Sequence, residues 1–328
     1  MATRVQAPRE AGCCLPSPNR SAMPRAMLPF ARVTIIGIGL IGSSIARAVR
    51  ATMPTVRLTG YDADPDVRAI AERIDLFDDV ADSGGAAVID ADLVILCVPV
   101  GAMGAAATEF AADLPAEAIV SDVGSCKAEV VRALGTALPG ATVVPAHPVA
   151  GTERSGPEAG FATLFQKRWC IITPPEGTDP LAVERVAEFW RRLGAEIEMM
   201  APDHHDRVLA ITSHLPHLIA YTIVGTASDM EEVTQSEVIK YSAGGFRDFT
   251  RIAASDPTMW RDVFLANREA VLDMLQRFSE DLTALQRAIR WGKGDELFDL
   301  FSKTRDVRRG IIEQGQDDPA PDFGRTHE

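Results

Sequence analysis

The stretch "ARVTIIGIGLIGSSIARAVR" (residues 31–50) decides how the first half of the chain folds. It opens as an apolar strand, passes through Gly37, Gly39 and Gly42, and continues as a helix that begins with small residues. The spacing is G-x-G-x-x-G. Gly37 permits a tight turn, Gly39 lets an anion approach the backbone, and Gly42 lets the helix pack closely on the strand. The helix then offers its unpaired N-terminal amides to that anion, the arrangement of a pyrophosphate site. Alone the pattern is common, and the surrounding sequence has to support it.

A second apolar run, "VRLTGYD" (56–62), ends in Asp62, at the distance where an acid bonds both hydroxyls of an adenosine ribose. Such an acid repels a 2′-phosphate, so the spacing favours NAD over NADP. Asp62 also suits the N-cap of a helix over "DPDVRAIAERI". "ADLVILCVP" (91–99) and "AIVSDVG" (118–124) are continuous apolar strands, each followed by a helical segment, and "ATVVP" (141–145) is another. This alternation predicts an α/β N-terminal domain, a Rossmann-type doubly wound parallel sheet. Ligands of such sheets bind beyond the carboxyl ends of the strands. The candidate cofactor contacts are therefore Gly37, Gly39, Leu40, Ile41, Gly42, Asp62, Val98 and Pro99. Ser125 in "SDVGSCK" (121–127) and His147 in "HPVAGTERSG" (147–156) leave the same edge and are expected beside the cofactor.

"WCIITPP" (169–175) and "AEIEMM" (195–200) read as late strands around a helix. After about residue 200 the period becomes helical, with Val208, Ile211, Leu215, Leu218, Ile219 and Ile223 on one face. Pro216 removes a backbone donor and is expected to kink that helix. Residues 258–290 and 294–314 read as further amphipathic helices. The expected division is an extension over 1–29, a dinucleotide-binding domain over 30–199, an all-α substrate and dimerisation domain over 200–312, and a tail over 313–328. Composition marks both ends as disordered, with Met23 or Met27 as later starts.

His214 and His217 lie three apart on one helical face, and no glutamate motif or cysteine cluster accompanies them to make a metal site. They read as polar pocket residues. His204 and His205 read as capping or structural. In "GGFRDFTRIAASDPTMW" (244–260), Arg247 and Arg251 are four apart. Phe249 and Ile252 flank Arg251 and predict a semi-buried guanidinium, which is best matched by a bidentate carboxylate.

The chain has 328 residues, 46% of them hydrophobic, enough for two cores. Its charge, 33 − 46 = −13, argues against binding nucleic acid or an anionic membrane. Five cysteines, Cys13, Cys14, Cys97, Cys126 and Cys170, are odd in number and irregularly spaced, as in a cytoplasmic protein with reduced thiols. No run of about 18 apolar residues stands out as a membrane span.

Taken together, "GIGLIGSSIARA", "DVGSCK", "HPVAGTERSG", "SHLPH" and "GGFRDFTRIAASDPTMWRD" resemble, in that order, the prephenate/arogenate (cyclohexadienyl) dehydrogenases of tyrosine biosynthesis. The resemblance covers about residues 30 to 312. It implies an NAD-dependent oxidative decarboxylation by a homodimer, with His147 as the general base and Ser125 near the substrate hydroxyl. It further implies that Arg251 holds the side-chain carboxylate, His214 and His217 line the substrate pocket, and Glu153 stands at its entrance. Cys126 departs from the family pattern, which has valine there. The stretches before 30 and after 312 are each too short for the mutase or ACT domain that some members carry. A neutral-to-positive His217 would disfavour an ammonium, so prephenate is expected over arogenate, with dual use. β-Hydroxyacid dehydrogenases and imine reductases share the two-domain plan. The former use a lysine in the helical domain, and Lys240, Lys293 and Lys303 are in no matching context. A catalytically silent NAD-binding module would have no need of Ser125, His147 and Arg251 together.

Overall fold

The computed structural model describes residues 28–152, 154–234 and 243–313. Strands β1 (Arg32–Ile36), β2 (Arg57–Tyr61), β3 (Asp79–Val80), β4 (Leu93–Leu96), β5 (Ile119–Asp122) and β6 (Thr142–Val143) form one parallel sheet in the order β3-β2-β1-β4-β5-β6. Helices α1 (Leu40–Thr52), α2 (Pro65–Arg73), α3 (Gly84–Val88), α4 (Met103–Phe110) and α5 (Lys127–Ala137) connect them. Alternate strand residues face opposite layers. Ile35, Ile95 and Ile119 gather with Ile45 and Val49 of α1. Ile36, Val94, Leu96 and Val120 gather with Met103 and Phe110 of α4 and Val130 and Leu134 of α5. A strand covered on both faces can be apolar throughout, which is why these segments read as unbroken runs. The strand order reverses between β1 and β4, the point on the carboxyl edge where sheets of this kind take their ligands. The doubly wound sheet expected from the sequence is the one observed.

A second sheet of three strands departs from that expectation. It comprises β7 (Ala146–Pro148), β8 (Trp169–Ile172) and β9 (Glu196–Met199). β7 runs antiparallel to β8 with His147 opposite Ile171, while β8 and β9 are parallel and joined by α6 (Pro180–Arg192). The sequence reading places His147 in a loop leaving the large sheet; the structure places it inside a strand. Pro145 supplies the reason. It has no amide to continue pairing with β5, and its carbonyl accepts from the Thr173 amide instead, at 2.9 Å.

The second half is helical. α7 (Pro202–Leu209) runs through a five-residue π segment, Ala210–His214, into α8 (Leu215–Thr234). The irregularity expected at Pro216 thus lies just before it. In a regular helix the proline ring would collide with the carbonyl four residues back, that of Thr212, and the wide π turn contains that residue. The stretch Pro202–Met230, 29 residues, is by length and composition apolar enough to cross a membrane, a run the sequence reading did not find. Its inward side buries His205, Asp206 and His214 in hydrogen bonds. A helix over Gly244–Thr250, a 3₁₀ turn over Arg251–Ala254 and helices Pro257–Ala266, Arg268–Arg290 and Gly294–Glu313 follow. Trp260 and Val263 reach back into the layer formed by α4 and α5, joining the halves.

Lys127, the first residue of α5, is fully buried. Its Nζ lies 2.6 Å from Asp122 Oδ2 at the end of β5 and donates to the Ala146 carbonyl at 2.7 Å. Lys127→Met leaves that carboxyl and carbonyl buried without their cation. We expect a loss of about 3–5 kcal/mol in folding stability, read as a lowered urea midpoint with unchanged slope.

Candidate active site

Each glycine of the turn meets a distinct steric demand. Gly37 has φ of +98°, and a Cβ there would lie 2.8 Å from the Cys97 carbonyl. At Gly42 a Cβ would overlap the Gly37 carbonyl oxygen and stand 3.1 Å from Ile35 Cγ2. At Gly39, the N-cap of α1, a Cβ would meet nothing within 4 Å, and the first turn of α1 carries no acid. Open space in front of free helix amides is a cradle for an anion. Leu40 and Ile41 are half-buried at the start of that helix. Val98 borders Gly37, and exposed Pro99 opens the 3₁₀ turn Val100–Ala102.

Asp62 ties the turn to β2. Its Oδ2 accepts the Ile38 amide at 2.8 Å and its Oδ1 the Asp64 amide at 3.0 Å. Each oxygen retains acceptor capacity for a ribose hydroxyl. The N-cap of α2 is Asp64, which accepts from Asp66 N at 2.9 Å. Asp62 is therefore left for the crevice. Arg68 donates to the Asp62 carbonyl at 2.7 Å.

The carboxyl edge holds a buried polar network that links four elements. His147 Nδ1 lies 2.8 Å from His205 Nε2, and His205 Nδ1 lies 2.8 Å from Asp206 Oδ1. Asp206 in turn accepts the Lys127 amide at 2.7 Å and the Ala128 amide at 3.0 Å, capping the N-terminus of α5 from another helix. Burial raises the Asp206 carboxyl, but its hydrogen bonds from His205, Lys127 and Ala128 outweigh this and hold it below the usual carboxylate range. Burial pulls His147 well below the ordinary imidazole value, and the charges of His205, Lys127 and His214 act the same way. Burial also lowers His205 against the pull of Asp206. Both rings are neutral near pH 7.

The sequence reading missed His205, Asp206 and Asn267. Asn267 Nδ2 donates to the Asp206 carbonyl at 2.8 Å and to His214 Nδ1 at 3.1 Å. Asp122 and Lys127 stand in a quoted motif, and "PDHHDR" (202–207) shows five titratable groups in a row, but neither pattern reveals the partners. His204, beside His205, is exposed.

Half-buried Ser125 immediately precedes Cys126, the N-cap of α5, and its backbone lies beside the His214 ring. His214 itself is fully buried, and its Nε2 has no hydrogen-bond partner among the described residues. Half-buried His217 stacks on Trp260, with ring centroids 3.6 Å apart, and its Nδ1 donates to the Ser213 carbonyl at 2.9 Å. That bond leaves a lone pair on Nε2. Burial, then the Arg251 charge, keeps His217 below the ordinary value, although the Ser213 bond opposes this. The neutral-to-positive His217 of the sequence reading is thus corrected to a neutral acceptor.

Arg251 is exposed rather than semi-buried. The helix carrying Arg247 ends at Thr250, and the 3₁₀ turn that starts at Arg251 puts the guanidinium outward, near His217. Phe249, whose apolar character suggested burial, is also exposed. Glu153 lies outside the described residues, as do Cys13, Cys14 and nearly all of both terminal segments. Cys126 is buried with its Sγ 3.6 Å from the Val263 carbonyl, and burial pushes its thiol up to about 12.

Comparison with known proteins gives a concordant result over both halves. The family described as "Prephenate dehydrogenase, nucleotide-binding domain" matches residues 45–199, and "Prephenate dehydrogenase, dimerization domain" matches 201–303. The chain is 45% identical to the cyclohexadienyl dehydrogenase of Zymomonas mobilis over 285 residues, covering 87% of this chain and 97% of that protein. It is 34% identical to the prephenate dehydrogenase of Bacillus subtilis over 281 residues, covering 85% and 76%. Among solved structures, prephenate dehydrogenase from A. aeolicus, in complex with hydroxyphenyl propionate and NAD+, superposes with a TM-score of 0.80 at 34% identity, covering 85% of this chain and 98% of that one. Synechocystis arogenate dehydrogenase gives 0.72 at 25% identity, covering 85% and 99%.

The buried histidines make stability depend on pH. Burial brings His214 from 6.5 to about 4. The unfolded chain therefore binds more protons than the native one between those values, and stability falls as pH drops through that window. Between pH 7 and pH 5, His214 alone accounts for about 2 kcal/mol. Urea unfolding at the two pH values should show at least this loss, and His214→Gln should flatten it.

Proposed function

The chain belongs to the prephenate dehydrogenase family, and on that premise we propose that it catalyses the NAD-dependent oxidative decarboxylation of prephenate and of arogenate, giving 4-hydroxyphenylpyruvate and tyrosine. His147 carries this reading. It is a buried, neutral imidazole held at the carboxyl edge of the nucleotide-binding sheet, with Nδ1 engaged by His205.

The residues fit a dinucleotide. The amides at the start of α1, over the open space at Gly39, take the pyrophosphate, and Asp62 takes the adenosine ribose. When bound, NAD supplies the hydride acceptor. His147 Nε2 takes the proton of the substrate's C4 hydroxyl as the C4 hydrogen departs as hydride. The bond to the ring carboxylate then breaks, carbon dioxide leaves, and its electron pair completes the aromatic ring. The C4 oxygen takes the proton back from His147, so no net proton is released. Ser125 stands near the hydroxyl, and Arg251 receives the side-chain carboxylate from the exposed side of the site. His214 supports the wall. Because His217 offers a lone pair, it does not repel the ammonium of arogenate. The ground for preferring prephenate is thereby removed, and both substrates are proposed.

The exposed apolar residues Ile289, Phe298 and Phe301 on the last two helices, with Trp291 between them, supply the surface for a homodimer. Light scattering should give twice the chain mass of 35.3 kDa, and Phe298→Asp with Phe301→Asp should yield monomer.

Steady-state assays with prephenate and arogenate, each with NAD and NADP, test the reading directly. Turnover of both substrates is expected, with NAD preferred because Asp62 opposes a 2′-phosphate. His147→Asn should lower kcat about 10²- to 10⁴-fold, and Arg251→Ala should raise KM for substrate with kcat little changed. Wild-type turnover by His147→Asn would refute the general-base role.

A further inference from the structure

The protons along the file Asp206–His205–His147 can be placed by elimination. The Asp206 carboxylate already accepts two α5 amides and has no hydrogen to give, so the hydrogen in its 2.8 Å contact with His205 belongs to His205 Nδ1. A neutral His205 then keeps its lone pair on Nε2. The hydrogen in the 2.8 Å contact between that atom and His147 Nδ1 must therefore belong to His147. We infer that His205 and Asp206 are positioning residues of the reaction: they fix His147 as the Nδ1–H tautomer and stabilise the imidazolium that forms when Nε2 receives the substrate proton.

The remaining contacts agree. Asp206 is held in place by α5 amides rather than by a cation, so its charge is available to the file. Asn267 fixes the backbone carbonyl of Asp206 and so orients the residue. When His147 is protonated at Nε2, its Nδ1–H remains on His205 Nε2, and the positive charge faces a carboxylate one ring away. Without the file, nothing decides which nitrogen of His147 carries the hydrogen, and the opposite tautomer has no base to offer. The groups around His147 are His205 and Asp206 from α7, His214 from the π turn, Lys127 from α5, Asp122 from β5 and Cys170 from β8. Of these, an Asp206→Asn exchange alters one charge only.

This inference rests on the proposed role of His147, and its first test does not need turnover. ¹⁵N-histidine NMR of the resting enzyme, assigned by loss of the His147 signals in His147→Asn, should show a protonated Nδ1 and a bare Nε2. The reverse tautomer would overturn the inference whatever the substrate proves to be. The second test is kinetic. Asp206→Asn keeps an oxygen for His205 and for one α5 amide but loses the charge. The acid limb of log kcat/KM should move to lower pH by about one unit and the plateau should fall about tenfold. A limb that stays in place while only thermal stability falls would reduce Asp206 to a helix cap and overturn the inference. His205→Gln keeps an acceptor near the Nε2 position, whereas His205→Leu removes it. The Gln variant should recover at least about tenfold in kcat over Leu, with KM for prephenate little changed in either; equal kcat losses overturn the role. Absence of turnover by the wild-type enzyme would instead defeat the proposed reaction and leave the tautomer result standing.

Discussion

The buried ammonium of Lys127 is the constraint on which the site depends. It joins the end of β5, through Asp122, to the carbonyl of Ala146, the residue before His147. Its own backbone amide caps onto Asp206. One residue thus fixes three elements relative to one another: the edge of the parallel sheet, the strand that carries His147, and the helix that carries Asp206. A buried ion pair is a weak source of net stability, because desolvating both ions offsets much of their attraction. Burial accordingly pushes the Asp122 carboxyl up, against the pull of Lys127. Such a pair is better understood as a device for geometry, since a misplaced β7 would cost the buried ammonium its hydrogen bond to the Ala146 carbonyl.

Much of the fold was legible because its signals are local. A glycine whose Cβ would strike a neighbouring carbonyl, or a strand buried on two faces, leaves its mark within ten residues of sequence. The polar network is different in kind. His147 and His205 are 58 positions apart, Lys127 and Asp206 are 79 apart, and neither pairing repeats with any period. "HHD" at the start of a helix looks like ordinary solvated polarity until the second sheet turns His147 toward it. The exposure of Arg251 escaped for a related reason. Apolar neighbours suggested burial, but a change from α to 3₁₀ geometry at that residue turned the side chain outward. The second sheet was legible as strands and not as a separate sheet, because Pro145 redirects pairing without interrupting the apolar pattern.

The electrostatics reconcile an acidic protein with the dicarboxylate substrates proposed for it. The chain carries a net charge of −13, whereas the inner site is built from neutral imidazoles and a paired lysine. In the proposed reading, Arg251 at the exposed side would meet a substrate carboxylate, and helix α1 would offer amides to the cofactor's phosphates. Local fields of this type outweigh a diffuse net charge within a Debye length.

The π segment at Ala210–His214 has a consequence for phase. His205 and His214 are separated by 214 − 205 = 9 positions. At about 100° per residue, an uninterrupted α-helix would set them about 180° apart, on opposite faces. A π turn holds roughly one additional residue, which takes back about 100° and swings both rings toward the same side. That is why a single amide, Asn267 Nδ2, can reach both His214 and the carbonyl next to His205. The helix acts here as a vernier: one residue of excess winding brings two distant marks into alignment, and the proline that follows keeps the winding from relaxing.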